Sequence, residues 1–325
     1  MHAPDGFLTA GTAVATGAIS VSTVTIALKQ AKEQIAEKMV PLAGIAAAFV
    51  FAAQMFNFPV AGGTTGHLLG GALAAILLGP HVGALVVTVV VVVQALAFAD
   101  GGFTALGYNV LNMAIIPAYG GFAAYAGFRR LLPQNGGGVV AATGLAAGVS
   151  VIFSAAAFSI QWLFGATAPV PFDTVFGAMV GVHTLIGIGE GVISALTVAA
   201  VLSSRPDLVF GARELDRARL EPASRVPLRA FVIGSVVVTM LVATVVSQFA
   251  VDDPDGLEAV AEDAGFISSG QEHGFSDSIF ADYATDGINN ESLSLAVAGI
   301  AGTIITLAVG YGLFRALRQR EKVPE

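Results

Sequence analysis

The stretch Val86-Val87-Thr88-Val89-Val90-Val91-Val92-Val93 decides the fold class. By propensity alone, an unbroken run of β-branched residues reads as a buried β-strand. Its flanks are apolar too, and they extend the stretch to 82–99, close to the ~20 residues that a spanning helix needs. In lipid an open sheet leaves backbone groups unpaired, whereas a helix pairs them within itself. The run is therefore predicted to be helical if lipid is its solvent. Composition meets that condition. Of 325 residues, 55% are hydrophobic and 12% charged, with a mean hydropathy of +0.79. A soluble domain carries about 25% charged residues and needs them to cover its surface.

Working outward from this segment, candidate spans fall near 9–28, 40–58, 67–80, 82–99, 103–128, 138–164, 174–203, 229–250 and 293–314. The third is short and glycine-rich, as expected of a re-entrant or broken helix. The basic residues test the count. Lys29, Lys32 and Lys38 follow the first span, and Arg129 and Arg130 follow the fifth. Arg205, Arg213, Arg217, Arg219, Arg225 and Arg229 follow the seventh, and Arg315, Arg318, Arg320 and Lys322 follow the ninth. These are all the lysines and arginines of the chain, and alternating spans place them on one side. The positive-inside rule then predicts an all-α, polytopic membrane protein of about nine transmembrane helices, with the N-terminus outside and the C-terminus cytoplasmic. A seven-helix body occupies 1–204 and a charged linker 205–228. A two-helix hairpin with a long acidic outer loop occupies 229–325. No signal peptide is apparent, so the mature protein is expected to begin at Met1. Cysteine is absent, which excludes disulfides and thiolate metal sites.

The first two residues carry the chemistry. Met1-His2 offers an α-amine, an amide nitrogen and an imidazole nitrogen on one short piece of chain. Bound together they close fused chelate rings and lie nearly coplanar, and one more nitrogen completes a square. Such sites suit Ni(II) or Cu(II), and Co(II) also takes imidazole. His67, within Gly62-Gly63-Thr64-Thr65-Gly66-His67-Leu68-Leu69-Gly70-Gly71, is the candidate fourth ligand, on the same outer side as the N-terminus. On spacing alone the alternative stays open: a surface His2, and a His67 satisfied at the membrane interface. All these nitrogens bind unprotonated. With ordinary values of ~7.7–8.0 for an amine and ~6.5 for imidazole, affinity is expected to fall below about pH 7.

Several segments make the chain resemble the CbiM/NikM family, the substrate-binding membrane subunits of energy-coupling-factor transporters for cobalt and nickel. They are Met1-His2-Ala3-Pro4-Asp5-Gly6-Phe7, Gln54-Met55-Phe56-Asn57-Phe58-Pro59 leading into the glycine segment, Asp100-Gly101-Gly102-Phe103-Thr104-Ala105-Leu106-Gly107 with Asn109, Asn112 and Met113, and His183 to Glu190. The resemblance covers residues 1 to about 204 and implies a metal held by the Met1 amine, the His2 amide and imidazole, and His67. Ala3 stands where the family usually has a bulkier aliphatic residue. Asp253-Pro254-Asp255-Gly256-Leu257-Glu258 looks like the PDGLE signature of the small CbiN/NikN subunits, so the chain resembles a fusion of the two. The resemblance implies that this part helps load or stabilise the metal; alternatively the acidic loop is a soluble cap.

His183 and Glu190 are seven residues apart and share a helix face. An acid at mid-span is costly and marks either function or an interhelical lock. Gln54, Asn57, Thr65, Asn109 and Asn112 are expected to support the N-terminal segment or to satisfy broken helix ends. His81 and His273 receive no role. A phosphate-cradling Gly-x-x-x-x-Gly-Lys-Ser/Thr is absent, so ATP hydrolysis is assigned elsewhere. By resemblance the partners are a CbiQ/NikQ-like transmembrane coupling subunit and CbiO/NikO-like cytoplasmic ATPases in a prokaryotic plasma membrane. No resident cofactor, enzymatic activity or nucleic-acid partner is expected, and the cargo is Co2+ or Ni2+. Ala13 and Gly17 in the first helix offer a small-residue face to the coupling subunit. An ATPase-independent secondary metal transporter is the alternative, and an intramembrane hydrolase lacks a third ligand.

Overall fold

The computed structural model of the chain describes residues 1–215 and 226–318. Arg217, Arg219 and Arg225 of the expected linker, and Arg320 and Lys322 of the tail, lie outside the described residues. The helices run as α1 (Ala10–Gln34), α2 (Met39–Gln54), α3 (Gly71–Leu78), α4 (Pro80–Ala97), α5 (Leu106–Asn109), α6 (Ile116–Leu131), α7 (Gly136–Gly165), α8 (Phe172–Ser204), α9 (Leu228–Thr244), α10 (Gly256–Asp263) and α11 (Glu291–Leu317). A π-helical stretch, Val110–Ile115, joins α5 to α6. Pro117 in the first turn of α6 lacks the N–H that an α-helical ladder needs there, and the widened turn absorbs the loss.

The valine run is helical. It forms α4, whose Val82, Val86, Val87, Val90 and Val91 are all buried. α4 packs against α1, α2, α3, α6 and α11. A helix that is apolar all round is one enclosed by others, and here the enclosure is mostly protein.

The expectation of a polytopic helical protein is met, and the third expected span is short and broken, as its glycines implied. Among the described residues, seven helical segments are long and apolar enough to cross a membrane, and α2 is a shorter apolar helix of 16 residues. The expected span 67–80 is only half helical. Its α3 has 8 residues, about 12 Å at 1.5 Å per residue, well short of a bilayer core. Residues 58–66 instead form a small antiparallel ribbon, β1 (Phe58–Pro59) on β2 (Thr65–Gly66), with Phe58 opposite Gly66. Gly62 and Gly63 make its turn at φ +67° and +75°, a left-handed region that costs glycine little.

Close helix contacts come from small residues. Gly144 and Gly148 of α7 face Gly187 and Gly191 of α8 so tightly that a Cβ at Gly187 would lie 2.6 Å from the Gly148 carbonyl oxygen. This is small-residue packing at four-residue spacing. The hairpin α9–α11 packs on α2, with the Tyr311 backbone against Gly44. The backbone of Gly17 in α1 lies against Gly107, so part of that small-residue face is used within the chain.

The α3–α4 hairpin is equally tight, since a Cβ at Gly83 would sit 2.4 Å from the Ala75 amide nitrogen. Gly83→Ala should cost about 1–3 kcal/mol by overpacking. Gly312→Ala, with open space around it, should leave stability unchanged or slightly raised. Thermal denaturation in detergent checks this, and an unaltered midpoint for Gly83→Ala would contradict the packing.

Candidate metal centre

The N-terminal segment is folded into one end of the body. Ala3, buried, donates its N–H to Asn109 Oδ1 (3.0 Å) and accepts from Asn109 Nδ2 (2.9 Å). Asp5 accepts from the N–H groups of Phe103, Thr104 and Ala105 and from the Thr104 hydroxyl. Gly102 permits this approach, because a Cβ there would lie 2.2 Å from the Asp5 nitrogen. Phe7 is fully buried edge-on to Phe266, which stacks on Trp162.

These ties deliver Met1 to His67. The Met1 amine donates to His67 Nε2 at 2.9 Å and also to Asp255 Oδ2. His67 donates its Nδ1–H to the Leu68 carbonyl (3.0 Å), which leaves Nε2 as the bare nitrogen. Glu190 fixes the same loop by accepting from Leu69 N–H (2.6 Å) and Gly70 N–H (3.0 Å). The mid-span acid thus ties α8 to the backbone just past His67.

His2 stacks on His67 with ring centroids 5.2 Å apart. Its Nε2 lies 3.0 Å from Gln94 Oε1 and its Nδ1 lies 3.2 Å from Asp100 Oδ1. A neutral ring has one N–H for these two acceptors. Donation to Gln94 leaves Nδ1 bare, and Nδ1 is the nitrogen that can close a chelate ring with the His2 amide. Gln94 is itself oriented, donating to Gln54 Oε1 (2.8 Å) and to the Tyr283 hydroxyl (3.0 Å). Gln54 donates to the Leu69 carbonyl (3.0 Å), so one hydrogen-bonded chain runs from His2 to the loop that carries His67.

Other expected residues sit further off. Thr65 donates its hydroxyl to the Asp253 carbonyl (2.9 Å), anchoring the acidic loop. His183 bonds the Met179 carbonyl through Nδ1 and borders a small cavity with Met1 and His67. Asn112 pairs with Gln161, away from the N-terminal segment, and Asn57 lines the outer cavity. His81 bonds the Tyr119 hydroxyl, and His273 accepts from Phe275 N–H.

A sequence profile described as CbiM, cobalt uptake substrate-specific transmembrane region, matches residues 2–208. The chain belongs to the CbiM family. A PDGLE domain matches residues 229–319. The chain is 31% identical to the fused nickel transport protein NikMN of Rhodobacter capsulatus, over 98% of each chain. It is 33% identical to an Archaeoglobus fulgidus protein provisionally described as a fused NikMN, over 98% of this chain and 99% of that one. The cobalt transport protein CbiM of Geobacter sulfurreducens is 30% identical over 64% of this chain and 61% of its own. The crystal structure of a truncated transition metal transporter superposes with a TM-score of 0.55 at 34% identity, covering 62% of this chain and 98% of that one. These are transport proteins, and with seven membrane-length helices this CbiM–PDGLE fusion is a multi-pass membrane protein of that class.

The PDGLE region does not merely cap the CbiM region. It places Asp255 on the Met1 amine. It also places the Tyr283 hydroxyl on Asp100 Oδ2 (2.5 Å), beside His2. Sequence reading quoted Asp255 and Asp100 in motifs without giving either a role at the centre, and it missed Gln94 and Tyr283. Gln94 carried a signal, as a buried amide ending an otherwise apolar span. Among the described residues, no three His, Asp or Glu side chains are placed to hold an ion, so a metal centre here depends on backbone nitrogens.

Burial opposes charge on Asp255, but the amine and His67 beside it hold the carboxyl well below its usual range. Burial pushes the His2 imidazole down to about 4 despite the pull of Asp100, with His67 and the amine adding to the fall. A value that low keeps the His2 ring neutral in mild acid. The sign follows from a folded value below the unfolded 6.5: its contribution to stability is complete above pH 6.5 and is lost as pH falls toward about 4. NMR of imidazole-labelled protein should show His2 untitrated from pH 8 to 5; a midpoint near 6.5 would refute this placement.

Proposed function

We propose that this chain captures Co2+ or Ni2+ outside the cell as the substrate-specific subunit of an ATP-driven, energy-coupling-factor uptake transporter. The ligands are the Met1 amine, the His2 amide nitrogen and Nδ1, and His67 Nε2. The observation that carries this reading is the 2.9 Å separation of the Met1 nitrogen from His67 Nε2. Metal–nitrogen bonds of about 2.0–2.1 Å place adjacent corners of a square about 2.9 Å apart. The His67 hydrogen bond supports it, since it leaves Nε2 bare, and His2 leaves Nδ1 bare in the tautomer that donates to Gln94. Binding then exchanges the protons of the amine and amide for the ion, and His2 turns Nδ1 from Asp100 into the square.

The N-terminus faces outward in this reading, and the C-terminus faces the cytoplasm. Arg318 donates to Glu37 Oε1 (2.6 Å), which joins the tail to the first basic connection at the end of the molecule away from the metal centre. The capturing body comprises 1–204 and the PDGLE hairpin 229–325, joined by the linker 205–228. Coupling and ATP hydrolysis belong to CbiQ/NikQ-like and CbiO/NikO-like partners.

The test uses the native N-terminus against a chain with one residue added before Met1, both titrated with Ni(II) and Co(II). A yellow, diamagnetic Ni(II) species is expected in the native chain and lost in the extended one, and equal binding by both would remove the amine from the ligand set. Gln94→Leu, which frees the His2 tautomer, should weaken Ni(II) binding about 10–100-fold, as loss of an orienting partner does.

A further inference from the structure

We propose that Asp255 is the first ligand of the arriving divalent cation and passes it to the nitrogen donors behind it. The inference rests on the nitrogen site proposed above and adds the route by which the ion reaches it.

The geometry separates what the solvent can reach from what it cannot. A cavity of about 530 Å³ opens beside the centre and is lined by His2, His67 and Asp255, but not by Met1. The side chain of Asp255 is 18% exposed, whereas Met1 is 4% exposed. A cation entering this cavity meets the Asp255 carboxylate before it meets the amine. The same wall carries Asp100, Asp252, Asp253, Glu258 and Asp282, and no Lys or Arg. A cleft lined by one sign of charge raises the local concentration of the opposite ion.

Asp255 is also held so that only one oxygen is available. Its Oδ1 caps α10, accepting from the N–H groups of Leu257 (2.8 Å) and Glu258 (2.9 Å). The preceding backbone is pinned, because Thr65 N–H donates to the Pro254 carbonyl at 2.9 Å. The start of α10 is wedged on α8, and a Cβ at Gly256 would lie 2.5 Å from Ile186 and 3.0 Å from His183. The carboxylate cannot swing away, so Oδ2 stays on the Met1 amine and 3.7 Å from His67 Nε2. One oxygen and two nitrogens thus converge where His67 and Asp255 border the cavity and the Met1 amine lies behind them.

Their chemistry sets the order of events. Carboxylate oxygen accepts divalent cations broadly, while nitrogen donors favour the later transition metals. The ion binds Oδ2 first. The ion then moves to the amine, amide and imidazole nitrogens, and the amine and the amide each release one proton to solvent. If Asp255 were only a counter-ion for the amine, the metal would have to displace it, and removing its charge would speed capture. The two roles therefore predict opposite changes in rate.

The experiment follows Ni(II) capture by the purified full chain in detergent, by stopped-flow absorbance. Asp255→Asn keeps a good helix cap and loses the charge. Its association rate should fall on the order of tenfold, with equilibrium affinity changing less than the rate. Asp255→Glu should recover much of that rate. Glu262→Gln, which removes an exposed acid of α10 outside the cavity, should stay near wild type. Capture by Asp255→Asn at the wild-type rate or faster overturns the inference. The N-terminally extended chain separates the two claims. Undiminished binding by it overturns the nitrogen site and the relay together. Lost binding in it, with an unchanged rate in Asp255→Asn, overturns the relay alone.

Discussion

A free chain end ordinarily has little to hold it, and ordering it costs backbone entropy of about 1–2 kcal/mol per residue. Met1 must nonetheless stay within hydrogen-bond distance of a histidine 66 positions away. The end of the protein that holds Met1 is organised around that demand. Asp5 gathers the N–H groups that open the next helical stretch, Asn109 takes both backbone groups of Ala3, and Phe7 is sealed under Phe266 and Trp162. Ala3 suits its place, since its neighbours leave it almost no exposed surface and its backbone carries the tether.

The other half of the demand is a rigid loop carrying His67. Broken backbone at membrane depth survives only where protein satisfies its polar groups. Glu190 does so for Leu69 and Gly70, and Gln54 does so for the Leu69 carbonyl. Glu190 can stand there because Gly187 and Gly191 bring α8 into backbone contact with α7, a helix pair that gives the carboxylate a fixed base. One acid thus ties α8 to the loop that carries a proposed ligand.

The PDGLE region enters the same centre at two points, Asp255 and Tyr283, and the backbone is strained at the second. The three non-glycine residues with positive φ among those described are Ala99, Asp282 and Tyr283. Asp282 N–H donates to the Phe98 carbonyl (2.9 Å), and the Tyr283 hydroxyl reaches Asp100. Such conformations cost of order 1–3 kcal/mol each and persist where the surroundings over-determine them. Here the surroundings are a stack of Phe98 with Phe280 and Tyr283, which docks the loop against the residues beside His2.

The sequence by itself determined the class of protein and suggested a donor set. Hydropathy and charge separation require lipid and helices, and Met1-His2 is a chelating pattern legible without coordinates, because chelate rings depend on local connectivity, whereas spacing alone left the part of His67 open. Span count was less legible. The glycine-rich third segment reads as a short or broken helix, but the ribbon of residues 58–66 and the left-handed Gly62, Gly63 and Gly70 are backbone conformations that hydropathy does not weigh. Only the tertiary structure decided which polar residues serve the centre. Asn109 and Asn112 look alike in sequence, but one tethers Ala3 and the other pairs with Gln161. Asp255 lies 254 residues from Met1, and nothing local in a loop full of acids marks the one that reaches the amine. Contacts between residues so far apart in the chain are set by how helices pack, and helix packing is a property of the folded whole.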